Sequence, residues 1–585
     1  MSALALPKSP SGFAKATWSD VAPYFDELAT RNLDSSNIEP WLHEWSTLEE
    51  LLTEAAARAM IAYTIDTAAP EKEADHLRFS TEVLPRVEER SVELAKRLLE
   101  SGYSTPSLET TLARFRTQIG IFRDANVPIF AELEEHSARY QRITGGITVE
   151  WDGVEKPLPQ LQPFLKSSDR SIRERAFRAS NRPYMDLRGE LSALFDQMYD
   201  LRQRAAKNAG FDNFRDYIFP AKFRFDYTPA DCERFHDAVE RMVAPAVERI
   251  LESRRQRLGL DVLRPWDLAV DPYRPKALRP FSNAAELVSK ARRVFDGVDP
   301  VLGRQFQDMI DQGLLDLESR KGKAPGGYCE TLHYQGKPFI FMNAVGLVDD
   351  VNTLLHEAGH AFHAYAAHQQ PLIWQRHPGS EAAELASMSM ELLAAPHLLQ
   401  PAGYFAPEDA LSARLEHLED VLLSLVHIAS VDAFQTWIYT SGRGGDARAR
   451  DEEWLRLRSR FERGVSWEGL EEERVARWYR QLHIFLYPFY YIEYGIAQIG
   501  ALQVWRNSMK DPANAVARYR QALGLGAVHG LPEIYRTAGA KLTFDAEPIG
   551  QLVQLIEDEI GAIRAKLSSP AGSQSPNKAR AANRT

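Results

Sequence analysis

Along most of the chain apolar residues recur at intervals of three and four with charged residues between them, the spacing of helices that bury one face. The run CERFHDAVERMVAPAVERILESRRQRLG, Cys232 to Gly259, is representative, and Thr228 and Pro229 ahead of it form a helix start signal. Strand-like alternation occurs in three places: ITVEWDG near Ile147, KFRFDY near Phe223, and ETLHYQGKPFIFMN from Glu330 to Asn343. In the last of these, two short runs flank Gln335 and Gly336, which predicts a hairpin. Pro338 cannot donate to a ladder and so predicts an edge position for the strand Phe339 to Asn343. The expected fold class is mainly α with a small β-sheet. The Pro- and Gly-rich KGKAPGGY, Lys321 to Tyr328, predicts a loop before the hairpin, and TSGRGGDARAR from Thr440 predicts another.

A chain of 585 residues, 44% of them hydrophobic, exceeds one compact unit, so at least two lobes are expected. Its 70 basic and 81 acidic residues leave a net charge of -11 and are mixed rather than gathered in runs, which argues against a general nucleic-acid binder. Cys232 and Cys329 stand far apart, so neither a disulfide framework nor a cysteine zinc cluster is expected, and a reduced, cytoplasmic setting fits best. MSALALPKSPSGFAK lacks the basic start and apolar run of a secretion signal. VLLSLVHIASVDAF, Val421 to Phe434, is interrupted by His427 and Asp432 and falls short of the roughly 20 apolar residues of a membrane span, so it reads as a buried helix. SSPAGSQSPNKARAANRT has no apolar periodicity and reads as a disordered tail from about Ser568.

The chemistry concentrates in LLHEAGHAFH, Leu354 to His363. At about 100° per residue, His356 and His360 share one helix face and can reach one ion, with Glu357 beside them as a general base toward a water; this is the HExxH pattern of zinc enzymes. Asp349 and Asp350 offer N-caps for this helix, and Pro371 follows its expected end near His368. Catalytic zinc takes three protein ligands, so a third is required. The extended HExxHxxGxxH solution is excluded because His363 and Ala366 stand where its glycine and histidine belong. The alternative is a glutamate from a second helix. In PGSEAAELASMSMELLAA, Glu381, Glu384 and Glu391 all lie within about 40° of one face, and geometry does not choose among them. Acidic residues favour first turns, so Glu381 is expected to be a solvated or cap-region carboxylate, and His363 to support the site or fill core. Downstream, Tyr487, Tyr491 and Tyr494 are spaced to line one helix face, with His483 one turn before.

HEAGHAFH and EAAELASMSMELL together resemble the thimet-like zinc oligopeptidases, and more closely their oligoendopeptidase F branch. The resemblance extends through KAPGGYCETL, KPFIFMNAVGLVDDVNTLLHEAGHAFH, LHIFLYPFYYIEYGIAQIGALQVW, RAAKNAGFDNFRDYIF and LPEIYRTAGAKLTFD, and is weakest over the first hundred residues. It implies a two-lobed helical ellipsoid with a deep substrate channel, the sheet lying beside the zinc helix. The implied organisation is an N-terminal helical lobe over 1–195, a catalytic metallopeptidase domain over 196–567 and the tail over 568–585. By the same resemblance one zinc ion is held by His356, His360 and Glu384, with Glu391 and His363 behind the ligands. Tyr494, His483 and Tyr487 donate to the developing oxyanion, and Tyr490 competes for that role. The branch's Gly-rich loop is replaced here by IFLYPFY, and the interval from His483 to Tyr487 is one residue shorter than in the thimet branch.

The expected activity is zinc-dependent hydrolysis of internal bonds in short unfolded peptides, with no nucleic-acid or membrane partner. Phe339, Phe341 and Asn343 on the presumed edge strand, together with Tyr491, are the expected substrate contacts. Two rivals stand beside this reading: a carboxypeptidase-like enzyme trimming dipeptides, and a catalytically silent peptide binder with a metal.

Overall fold

Thr228 and Asp231 exchange hydrogen bonds across the first turn of the helix Pro229–Ala238, closing the capping box that the Thr-Pro start signal announces. The amphipathic run continues through a widened turn at Val239–Val243 into Ala244–Arg257. Pro245 explains the widening, since it has no N–H to return to the turn before it. This computed structural model describes residues 4–274, 278–320, 322–324 and 326–568. The tail expected beyond Ser568 lies outside them, and Ser568 itself ends the helix Ala546–Ser568.

The fold is mostly helical with two small sheets. Near the N-terminus, α1 (Trp18–Thr30), α2 (Ile38–Ile65), α3 (Leu84–Glu100) and α4 (Glu109–Ile121) close around Phe25, Trp41, Trp45, Leu98 and Phe115. Two residues from far along the chain join this core. Leu372 is buried in it, and the Trp374 ring lies 4.3 Å from that of Trp45 while its indole N–H donates to Glu49 at 2.8 Å.

ITVEWDG forms the hairpin β1 (Thr148–Trp151) and β2 (Val154–Pro157), turning on Asp152 and Gly153, both at positive φ. KFRFDY is not a strand. Phe223 has a φ of 56°, and Arg224 turns inward to the Phe489 carbonyl and the Glu493 carboxylate, so buried polar pairing overrides the alternation. The second sheet contains β3 (Leu315–Glu318), β4 (Tyr328–Leu332) and β5 (Lys337–Ala344) in the order β3-β5-β4. The predicted hairpin is β4 and β5, but β5 is central rather than at an edge. The short β3 pairs parallel with it from Ile340 onward, beyond Pro338, so the proline's missing donor costs no bond on that side.

Four further helices and one short turn of helix carry the site: α5 (Val348–Ala367), α6 (Ser380–Ala394), α7 (Pro407–Thr440), α8 (Leu482–Leu486) and α9 (Tyr491–Ser508). By length and composition α7 could cross a membrane, yet 67% of its most apolar stretch is buried within the fold, as in a core helix. This agrees with the reading of Val421 to Phe434.

Candidate metal centre

Asp350 starts α5 by accepting the Leu347 and Val345 backbone N–H groups at 2.7 and 2.9 Å, so the cap residue is Leu347 and Asp350 is the reach-back partner. One turn apart, the His356 and His360 rings lie 5.0 Å from each other on one face. α6 crosses α5 at Gly359, where an added Cβ would sit 2.5 Å from Ser387 Cα and 2.7 Å from the Ala386 carbonyl oxygen. Only glycine permits that approach. It brings Glu384 Oε2 to 3.3 Å from His356 Nε2 and 3.8 Å from His360 Nε2, and one donor atom from each residue lies within 4.8 Å of the others. Two imidazole nitrogens and one carboxylate form a donor set suited to zinc, and their convergence fits a single ion.

Burial opposes charge on all three residues; contacts override it at Glu384 and His356, and burial prevails at His360. Glu384 is held down to about 2 by the hydrogen bond from His356, the charge of His360 and the Tyr490 hydroxyl, and so is ready to ligate as a carboxylate. His360 is pushed down to about 4 by burial and the neighbouring His356. His356 is raised by its hydrogen bonds to Glu384 and Glu391. Glu391 lies behind His356: one oxygen accepts from His356 Nδ1 at 2.7 Å, leaving Nε2 toward Glu384. Its other oxygen meets His417 Nε2 at 2.9 Å. His417 was not foreseen; it comes from α7 and no motif surrounds it.

Glu357 is 8% exposed, and burial, with Glu384 and Glu391 nearby, pushes its carboxyl up to about 7. The single helix face expected for the tyrosines does not exist. Pro488 follows the end of α8 and Phe489 adopts a φ of 63°, so Tyr487 and Tyr491 fall on opposite sides of a break in the helix. Tyr487 is 53% exposed at the rim. The break turns Tyr490 inward, where its hydroxyl donates to Glu384 Oε1 at 2.9 Å. Tyr491 donates to Gln481 at 2.9 Å and packs edge-on to His427. His483 stands among all four tyrosines, its ring centroid 5.1 to 6.0 Å from theirs. Burial and the charges of Glu384 and Glu357 keep the Tyr494 phenol protonated well above its ordinary range, the state of a hydrogen-bond donor.

The expected substrate contacts on β5 are corrected. Phe339 and Phe341 are buried, Phe341 stacking on Tyr328 at 4.8 Å, and both edges of β5 are paired. Asn343 donates to the Ala324 and Gly326 carbonyls at 2.8 and 2.9 Å, strapping the loop before β4 rather than reaching outward. The sheet's outer edges belong to β3 and β4, and that of β4 borders the cavity beside His360. Ile340 gives its N–H to Leu314, so alternation leaves the main chain of Cys329 and Thr331 pointing away from β5.

Glu381 is not solvated. It is buried, accepts the Tyr227 hydroxyl at 2.5 Å and lies 3.9 Å from Arg224 Nε, a structural cluster away from the donors. His363 is buried, as expected, on the same face as the ligands.

Residues 164–551 match the family model described as Peptidase family M3. Oligopeptidase PepF of Bacillus subtilis is 23% identical over 425 residues, covering 70% of this chain and 60% of the relative. An oligoendopeptidase F homolog of Borreliella burgdorferi is 22% identical, covering 69% of each. The chain thus spans about 60% of the length of the first of these relatives. Among solved structures, PZ peptidase A with an inhibitor is similar at a TM-score of 0.86 and 26% identity, covering 96% of this chain and 98% of that one.

Proposed function

The chain belongs to peptidase family M3, and we propose that it is a zinc-dependent endopeptidase acting on internal bonds of short, unfolded peptides. The observation that carries this reading is the buried Glu357 carboxyl beside the converging donors of His356, His360 and Glu384. Those three residues would hold a zinc ion, which would supply a Lewis acid and lower the pKa of a water toward about 7. Glu357 accepts the proton of the attacking water and returns it to the leaving amine nitrogen. Tyr494, supported by His483, donates to the oxyanion that forms on the scissile carbonyl. Tyr490 has a different task in this scheme: its hydroxyl fixes the carboxylate orientation of Glu384.

An extended peptide would pair with the main chain of Cys329 and Thr331 on β4, a mode that fixes backbone position and tolerates varied side chains. The free cysteines Cys232 and Cys329 fit a reducing, cytoplasmic setting. The test is zinc content of the purified protein alongside cleavage of an internally quenched peptide. One ion per chain and cleavage abolished by a chelator, then restored by zinc, are expected. Cleavage that persists in fully metal-stripped protein would overturn the reading.

A further inference from the structure

A cavity of about 320 Å³ opens between β4 and the C-terminal half of α5, and its wall includes His360 and Glu384 at one end. The rest of the wall is unusually rich in imidazole. His363 is 7% exposed, lines the cavity, and hydrogen-bonds to no other described residue. His377 and His333 meet Nε2 to Nε2 at 3.0 Å, so one donates and the other accepts, and His377 is left with its second nitrogen in the complementary role. Burial holds His363 down to about 3, and burial with the Arg114 and Arg376 charges holds His377 down to about 4, so both are neutral.

The one guanidinium in the wall is already committed. Arg376 donates to the carbonyls of Gln370, His333 and Pro371 and pairs with Glu50 at 3.1 Å. Glu330 is pushed up to about 7 by burial. Beside the Glu384 carboxylate the cavity therefore offers neutral imidazoles, His363 with one donor and one acceptor and His377 with its one remaining nitrogen.

We propose that this cavity is a side-chain subsite for a residue flanking the cleaved bond, and that it selects the carboxamide of Gln or Asn. This rests on the hydrolytic reading above. A carboxamide carries donor and acceptor together and satisfies a neutral imidazole in either tautomer. A carboxylate only accepts, an ammonium only donates, and an aliphatic side chain leaves His363 dry and unpaired. Sites built around buried polar groups discriminate strongly against analogues that cannot hydrogen-bond, so a preference of about tenfold or more over an apolar side chain of equal length is expected.

The test uses peptides with one cleavable bond that differ only by Gln against Met at each of the two flanking positions. Cleavage by the wild type gives kcat/KM, and binding to zinc-loaded Glu357→Gln protein gives affinity without turnover. At one of the two positions Gln should be favoured about tenfold or more in both measurements, and the advantage should shrink below about threefold in His363→Leu and in His377→Leu. One zinc per chain in each variant certifies its fold. Equal handling of Gln and Met at both positions, or a Gln preference that survives both substitutions, would overturn the proposal. A Gln preference in binding with no cleavage of any peptide would sustain the subsite and count against the hydrolytic reading instead.

Discussion

Gly359 on α5 and Ser387 on α6 touch backbone to backbone: a Cβ on the glycine would stand 2.5 Å from the serine Cα. Alanine at 359 gains about 1 kcal/mol of helix propensity, but the obstacle is main chain and cannot swing aside. Overpacking of this kind costs about 1 to 3 kcal/mol and outweighs the gain. Gly359→Ala should therefore lower the melting temperature and weaken zinc binding, because the helices that carry His356, His360 and Glu384 are forced apart. Calorimetry and metal titration check both; an unchanged zinc affinity would show that the close approach does not set the ligand geometry.

Glu357→Gln should retain one zinc and lose peptide cleavage by a factor of about 100 or more, as expected when a general base is removed. It should also change the pH response of the metal-free protein. The Glu357 carboxyl sits near 7 in the folded chain against an ordinary value of 4.5, so the fold binds its proton more tightly than the unfolded chain does. Stability from this group is complete below about 4.5 and is lost as pH rises through about 7. Metal-free Glu357→Gln should gain on wild type over that window by up to roughly 3 kcal/mol. Chemical denaturation at pH 4.5 and 8 measures the gap, and a constant difference would refute the assignment.

Glu391 joins two histidines, taking His356 at 2.7 Å and His417 at 2.9 Å. Partners of this kind orient a ligand imidazole, and their loss costs about 10- to 100-fold in metal affinity. Glu391→Gln should show such a loss, and His417→Phe a smaller one in the same direction. Zinc titration against a competing chelator reads both.

Tyr490 and Tyr494 should separate cleanly. Tyr490→Phe removes the hydroxyl bound to Glu384 and should weaken zinc retention. Tyr494→Phe should keep zinc and KM while kcat falls about 100-fold, the signature of a donor that acts in the transition state. A matching pattern in both variants would show that the hydroxyls do not divide the work.

The sequence revealed the metal helix well because HExxH depends only on helical period, which α5 keeps from Val348 to Ala367. Glu384 was chosen over Glu381 by resemblance, and the structure gives the physical difference: Glu381 is consumed by Tyr227 and Arg224, whereas Glu384 faces both histidines. Where local signals are read without tertiary partners, the picture differs from the fold. Pro338 suggested an edge, but β3 arrives from before the loop and pairs only past the proline. The Tyr487 to Tyr494 spacing suggested a continuous helix, but Pro488 and the positive φ of Phe489 break it and turn Tyr490 onto Glu384 instead. His417 had no local signal because its role exists only where α7 passes Glu391.

The site draws its parts from segments that emerge from the ribosome at different times. The candidate metal donors on α5 and α6 are made first; His483, Tyr490 and Tyr494 follow on α8, α9 and the break between them. A nascent chain that has folded only its first helices thus lacks the Tyr490 hydroxyl that Glu384 accepts. On the proposed reading, a chain still in synthesis holds its metal donors before it holds the hydroxyl that orients one of them.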